Sequence, residues 1–369
     1  MSDLKYWLAF NRIPGVGTVR FRQLEKHFGL LENAWHADAI ELDKAGLDRR
    51  AVANAIKLRL DISPDNEMER VEQAGIAAYN WHDTQYPPRL KEIYDPPPVL
   101  YVRGSLMPED ERSLAVVGTR KATVYGREAT AALAGDLARN KVTIVSGLAR
   151  GIDSVAHRAA LDAEGRTIAV LASGLDIIYP REHKSLADEI AQKGALVSEY
   201  PLGVRPDATN FPRRNRIMSG MTLGTLVVEA GETSGALWTV NHALEQNREV
   251  FCVPGSVFSP ASCGTNRLIQ QGAKLVMSYN DVLQELNLSA TAHQIQLPIS
   301  VQPADEGEAR LLARLSQEPV HIDDLARETG LPSAEVSSTL VMMELKGLVK
   351  QVGGMNYIRV REALSAYGA

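Results

Sequence analysis

Six short apolar runs separated by helical stretches constrain the fold of this chain more than any other feature. The runs are Leu114-Ala115-Val116-Val117, Val142-Thr143-Ile144-Val145, Thr167-Ile168-Ala169-Val170-Leu171, Ala195-Leu196-Val197-Ser198, Thr225-Leu226-Val227-Val228 and Glu249-Val250-Phe251-Cys252-Val253. Helical patterns fall between them at 127–139, 154–163, 183–192 and 236–246. Strands this apolar need cover on both faces, and right-handed crossover helices supply it. The alternation predicts an α/β domain over residues 100–288, a doubly wound, Rossmann-like parallel sheet.

The flanks read differently. Residues 1–83 have a helical pattern. Within them Ile13-Pro14-Gly15-Val16-Gly17 precedes an apolar-periodic segment at 19–28, which predicts a helix-hairpin-helix or SAM-like turn. Such a turn either offers backbone N–H groups to a phosphate or only connects two helices, and both readings stand. Residues 84–99 hold Tyr86-Pro87-Pro88 and Asp95-Pro96-Pro97-Pro98 and are expected to be an extended, non-helical linker. A polar linker is expected at 289–304. Residues 305–369 predict three helices and a Gly353-Gly354 hairpin, the outline of a winged helix. Its would-be reading helix sets Glu335 and Glu344 against Lys346, so DNA contact and protein contact both remain open.

Charge narrows the ways an anion is held. The chain has 369 residues with a formal net charge of -5, so an anionic ligand needs a local basic patch, not a global field. The two cysteines, Cys252 and Cys263, make no disulfide framework and have no metal-ligand spacing, and no metal or cofactor is expected. The amino terminus lacks a signal-peptide pattern, and no apolar stretch approaches the roughly 18 residues that span a bilayer. The expectation is a soluble, cytoplasmic protein without membrane insertion.

Ligands of open parallel sheets bind at the carboxyl ends of the strands. Here those ends carry glycine and small polar residues repeatedly. They include Gly118-Thr119-Arg120-Lys121, Ser146-Gly147-Leu148-Ala149-Arg150-Gly151, Ser173-Gly174, Glu229-Ala230-Gly231-Glu232-Thr233-Ser234-Gly235 and Pro254-Gly255. Thr119 and the amides after it are candidates for phosphate, with Arg120 as a fixed charge. None of these turns fits a dinucleotide fingerprint or a Walker motif. Glu229 is either a general acid–base group or an anchor for nearby amides. Ser146, Asp153 and His157 form either a triad or a packed histidine beneath an Asp153 helix cap.

The stretch Asn210-Phe211-Pro212-Arg213-Arg214-Asn215-Arg216 gathers a ring, three arginines and two asparagines just before apolar Ile217-Met218. Guanidinium forks match phosphate oxygens, and an aromatic face stacks a base. Arg213, Arg214 and Arg216 do not all face one strand from one helical turn, so at least one is expected to be structural.

These strings, in this order, resemble the DNA-processing protein A family (DprA, also called Smf). The resemblance rests on Val117-Gly118-Thr119-Arg120, Tyr125-Gly126, 146–153 with Ala156-His157, and 174–180. It continues through Phe211-Pro212-Arg213-Arg214-Asn215-Arg216-Ile217, Ser234-Gly235, Val253-Pro254-Gly255 and Gly264-Thr265-Asn266. It implies a non-enzymatic protein that binds single-stranded DNA, protects incoming DNA and helps load the RecA recombinase during natural transformation. It also implies a homodimer through the Rossmann-like domain. The DNA-contacting set it implies is Gly118, Thr119, Arg120, Lys121, Ser146, Gly147, Gly174, Asn210, Phe211, Arg213, Arg214, Asn215 and Arg216. The family often has basic residues just before the Phe-Pro-Arg-Arg-Asn-Arg string; here Arg205 stands there with Asp207 opposing it. The alternative is an enzyme like the nucleotide phosphoribohydrolases, whose Gly-Gly-x-Gly-Thr loop the segment 228–235 faintly resembles.

Overall fold

The apolar runs become strands of one nine-stranded sheet. Two strands precede them, Ala77–Asn80 (β1) and Val99–Gly104 (β2). The runs follow as Ser113–Val117 (β3), Thr143–Ser146 (β4), Thr167–Val170 (β5), Ala195–Ser198 (β6), Gly224–Val227 (β7) and Glu249–Cys252 (β8), and Lys274–Leu275 (β9) ends the set. The order across the sheet is β1-β2-β6-β5-β4-β3-β7-β8-β9. From β6 to β9 all neighbours are parallel, while β2 runs antiparallel to β6 and β1 antiparallel to β2. This computed structural model describes residues 3–288, 306–316, 318–346 and 348–359, in two compact units divided at residue 290.

The order reverses at β3. Successive strands β4, β5 and β6 lie on one side of it, and β7, β8 and β9 on the other. Crossovers on the two sides diverge there, opening a crevice beyond the carboxyl ends of β3 and β7. Period-2 alternation sends Leu114 and Val116 of β3 into one apolar cluster and Ala115 and Val117 into the other. The helices Val124–Arg139 and Ile152–Asp162 cover the first face through Leu133, Leu137, Ile152 and Ala156. The helices Asn210–Met221 and Ala236–Glu245 cover the second through Ile217, Met218, Ala236 and Val240.

Six helices precede β1, and their core residues Trp7, Phe10 and Phe21 merge with the second face. Polar contacts seal the junction. Asn11 donates to the Glu199 carbonyl at 3.0 Å, and Thr18 donates to that of Pro96 at 2.8 Å. The proline-rich stretch departs from the expectation of a helix-free linker, because Pro88–Lys91 forms one helical turn. Pro88 sits at the first position, where a missing N–H breaks no intrahelical bond.

The second unit contains the helices Glu306–Arg314, Ile322–Thr329 and Ser333–Leu345 around Leu311, Leu325, Val336, Leu340 and Met343. Its antiparallel sheet joins Val320–His321 (β10), Val349–Gly353 (β11) and Asn356–Arg359 (β12) in the order β10-β12-β11. Glycines 353 and 354 both take positive φ in the hairpin. The expected linker 289–304 lies outside the described residues. Among the described residues no helix is long and apolar enough to cross a membrane.

Candidate nucleic-acid interface

The arginine-rich stretch opens the helix Asn210–Met221. Asp207 shapes the entry by accepting from the Thr209 amide at 2.9 Å and its hydroxyl at 2.6 Å. Those bonds hold its carboxyl below the usual range. At about 100° per residue, Arg213, Arg214 and Arg216 point in three directions.

Arg214 points inward and is 3% exposed. Its guanidinium donates to the Gly147 carbonyl at 2.8 Å, to that of Val170, and to the Asn215 side chain at 3.3 Å. Burial pushes its pKa down to about 10, and the nearby Asp153 carboxylate partly offsets this. Gly147 is required for this contact, since a Cβ there would stand 2.4 Å from an Arg214 nitrogen. Arg216 takes a different direction. It donates to both Glu199 carboxylate oxygens, at 3.0 and 2.7 Å, and to Asp95 at 3.2 Å. Burial lowers its pKa, but Glu199 and Asp95 outweigh burial and the net shift is upward. Arg213 is exposed and has no carboxylate partner among the described residues.

Across the crevice, Arg120 is exposed, and its guanidinium carbon lies 5.1 Å from the centroid of the Phe211 ring. The Tyr179 ring meets Phe211 with centroids 5.8 Å apart. These groups border a cavity of about 770 Å³ whose lining includes Gly118, Thr119, Arg120, Phe211, Arg214 and Asn215. Backbone approach fixes the turn after β3. A Cβ on Gly118 would come within 2.5 Å of Ile152 and 2.8 Å of the Glu229 carbonyl. Two of the amides expected to meet phosphate have protein partners instead. The Thr119 N–H donates to the Glu229 carbonyl at 2.8 Å, and the Lys121 N–H to the Thr119 hydroxyl at 3.2 Å. What this turn presents outward is therefore side-chain charge, from Arg120 and from exposed Lys121.

The other implied residues lie behind this surface. Ser146 is fully buried and donates to the Val116 carbonyl at 2.6 Å. Gly174 is buried beside Asp176 and Pro201. Asn210 donates to the Ala172 carbonyl at 3.2 Å. Asp153 is not the helix cap; Gly151 is, and Asp153 accepts from the Gly147 and Ala149 amides, each at 3.2 Å. Burial raises its pKa against the pull of Arg214. His157 is fully buried with Nδ1 2.7 Å from the Thr167 hydroxyl. Ser146, Asp153 and His157 are thus packing groups, and Ser146 directs its proton to backbone. Glu229 is 1% exposed, and its two oxygens accept from the Thr123 amide at 2.9 Å and hydroxyl at 2.6 Å. That arrangement matches the anchoring alternative.

Two lining residues were not singled out as contacts from sequence. Tyr179 is 45% exposed in the turn after β5, and Trp238 is 55% exposed in the first turn of the helix Ala236–Glu245. Each is an aromatic residue just past a glycine-bearing strand end, which is the signal that reveals them. Among the described residues no cluster of three or more His, Cys, Asp or Glu has the geometry to hold a metal.

The family model for DNA recombination-mediator protein A matches residues 78–287, and that for the DprA winged helix domain matches residues 297–355. Protein Smf of Synechocystis is 36% identical, with 97% of this chain and 99% of that protein aligned. The chain belongs to the DprA/Smf family. DNA processing protein DprA of Bacillus subtilis is 46% identical over 58% of this chain and 72% of its own length. The X-ray structure of DNA processing protein A from Streptococcus pneumoniae superposes with a TM-score of 0.67 at 35% identity, covering 76% of this chain and 96% of that one. A structure of DNA processing protein A from Helicobacter pylori, described for its single-stranded DNA binding mode, gives a TM-score of 0.53 at 29% identity over 58% of this chain and 97% of that one. The doubly wound sheet and the winged helix are thus family architecture.

Proposed function

We propose that this protein binds single-stranded DNA along the crevice beyond β3 and β7. The observation that carries the reading is Arg120 lying against Phe211 at a cavity that Tyr179 and Trp238 also line. A guanidinium suits a phosphate of any nucleotide, and a ring stacks on any base, so the pair recognises a strand without reading its sequence. In this reading Arg120, Lys121, Phe211 and Arg213 meet the strand. Gly118, Thr119, Ser146, Gly147, Gly174, Asn210, Arg214, Asn215 and Arg216 shape and brace the turns. The strand-binding mode described for the Helicobacter pylori protein supports the same ligand.

The family resemblance supports a wider role, in which the protein protects incoming DNA in the cytoplasm and helps load RecA during transformation and recombination. It would act there as a homodimer through the sheet domain and without enzymatic turnover. The engagement of both Glu229 oxygens by Thr123 favours binding over the phosphoribohydrolase alternative, which needs a free carboxylate. The test is a titration of labelled single-stranded oligonucleotide run beside incubation with nucleoside monophosphates. Saturable oligonucleotide binding without base release is expected. Base release without oligonucleotide binding would overturn the reading.

A further inference from the structure

A second cavity of about 550 Å³ adjoins the first, and Pro212 and Trp238 line both. Its lining continues through Arg213, Arg216, Tyr200 and His242 to Gly17 and Thr18 of the helical region. All of these residues belong to the first compact unit. We propose that this cavity is a further nucleotide subsite, in which Trp238 stacks a base and Arg213 meets the neighbouring phosphate. The inference rests on the single-stranded DNA reading and extends it from Phe211 to a second position along the strand.

Trp238 differs from the other three tryptophans. Trp7, Trp35 and Trp81 are 2–6% exposed and packed in the core, whereas Trp238 is 55% exposed on the wall between two cavities. An exposed aromatic is common by itself, but one shared by two adjoining hollows is placed as a platform for consecutive bases. The charges of the second cavity select which group serves phosphate. Asp95 and Glu199 line it, and both are engaged by Arg216. His242 is 3.2 Å from the Pro212 carbonyl and 3.6 Å from Glu245. Arg213 is left as the lining guanidinium with no carboxylate partner among the described residues. Because the two hollows share Pro212 and Trp238 as a common wall, they fit a strand better than two separate mononucleotides.

Burial of the other three tryptophans makes Trp238 a reporter. The experiment titrates the full-length protein with fluorescein-labelled oligothymidylate, reading anisotropy for binding, and with unlabelled oligomer, reading tryptophan emission for stacking. Binding should quench the emission. Trp238→Phe should lose the quench and retain affinity, because a ring remains. Trp238→Ala should weaken binding roughly 5- to 150-fold, the range expected for one stacked base. Arg213→Ala should lower the slope of log affinity against log salt by about 0.7, one single-strand phosphate contact. Unchanged affinity in Trp238→Ala, with or without quenching in the parent protein, would overturn the subsite and leave the first cavity standing. Absence of oligothymidylate binding by the parent protein at every salt concentration would overturn the single-strand reading and the subsite with it.

Discussion

The guanidinium of Arg120 and the ring of Phe211 face each other at 5.1 Å, joining the turn after β3 to the first turn of the helix Asn210–Met221. They come from positions 91 residues apart in sequence and meet because the strand order reverses beside β3. Each preorganises the other: the ring limits where the fork swings, and the fork covers one side of the ring.

That contact predicts a division of labour with measurable coupling. Phe211→Ala should weaken oligonucleotide binding by about 1–3 kcal/mol and leave the salt dependence nearly unchanged. The double variant Arg120→Ala/Phe211→Ala should be less impaired than the sum of the single variants, by about 0.5–2 kcal/mol. A double-mutant cycle measured by anisotropy at one salt concentration checks this.

Arg214 should behave as a folding residue. Its removal leaves the Gly147 and Val170 carbonyls buried without their donor and Asp153 without its cation. Arg214→Ala is expected to lower stability by about 3 kcal/mol. Arg214→Lys should recover little, because an ammonium lacks the planar fork that bridges two carbonyls. Urea unfolding followed by circular dichroism reads both.

Arg213 and Arg216 should separate cleanly although they are three residues apart. Arg216→Ala strips the cation from half-buried Glu199 and should cost about 3 kcal/mol of stability. Arg213→Ala should change stability by no more than about 0.5 kcal/mol, as expected for an exposed side chain. Equal losses in the same unfolding experiment would contradict the assignment.

His157 predicts an acid-side loss of stability. The Thr167 hydroxyl donates to the Ile144 carbonyl, so it accepts from His157 Nδ1–H, and Nε2 is buried with no partner among the described residues. Burial, with Arg214 and His183 nearby, holds the folded pKa down at about 3, against about 6.5 in the unfolded chain. The unfolded state therefore binds the extra proton first. The contribution is fully present above pH 6.5 and is lost as pH falls toward 3, at up to about 1.4 kcal/mol per pH unit from this group. Comparing unfolding at pH 7.5 and pH 5.5, His157→Gln should show a shallower dependence than the parent.

The sheet was legible because buried parallel strands are apolar at every position, as in Ile144-Val145 and Leu226-Val227. Strand β1 escaped because Ala77–Asn80 is half-buried and mixed in character at an antiparallel edge. The turn sequences pointed to one end of the sheet, but not to which atoms face outward. Arg214 and Arg120 are equally basic in sequence, and only the approach of Gly147 reveals that one of them is interior. Trp238 follows the Ser234-Gly235 turn, which places it near the crevice, but its helical pattern does not tell a ring that lines the crevice from one packed in the core.

If Arg120 supplies phosphate-directed charge at this edge, as proposed, its loss lowers both the affinity for a strand and the dependence of that affinity on salt. Affinity for a fluorescein-labelled homopolymer strand is measured by anisotropy across a range of salt concentrations, for the full-length protein and for Arg120→Ala. The parent should lose affinity linearly in log salt, and Arg120→Ala should bind more weakly with a slope reduced by about 0.7. Parallel lines of equal affinity at every salt concentration would contradict the account.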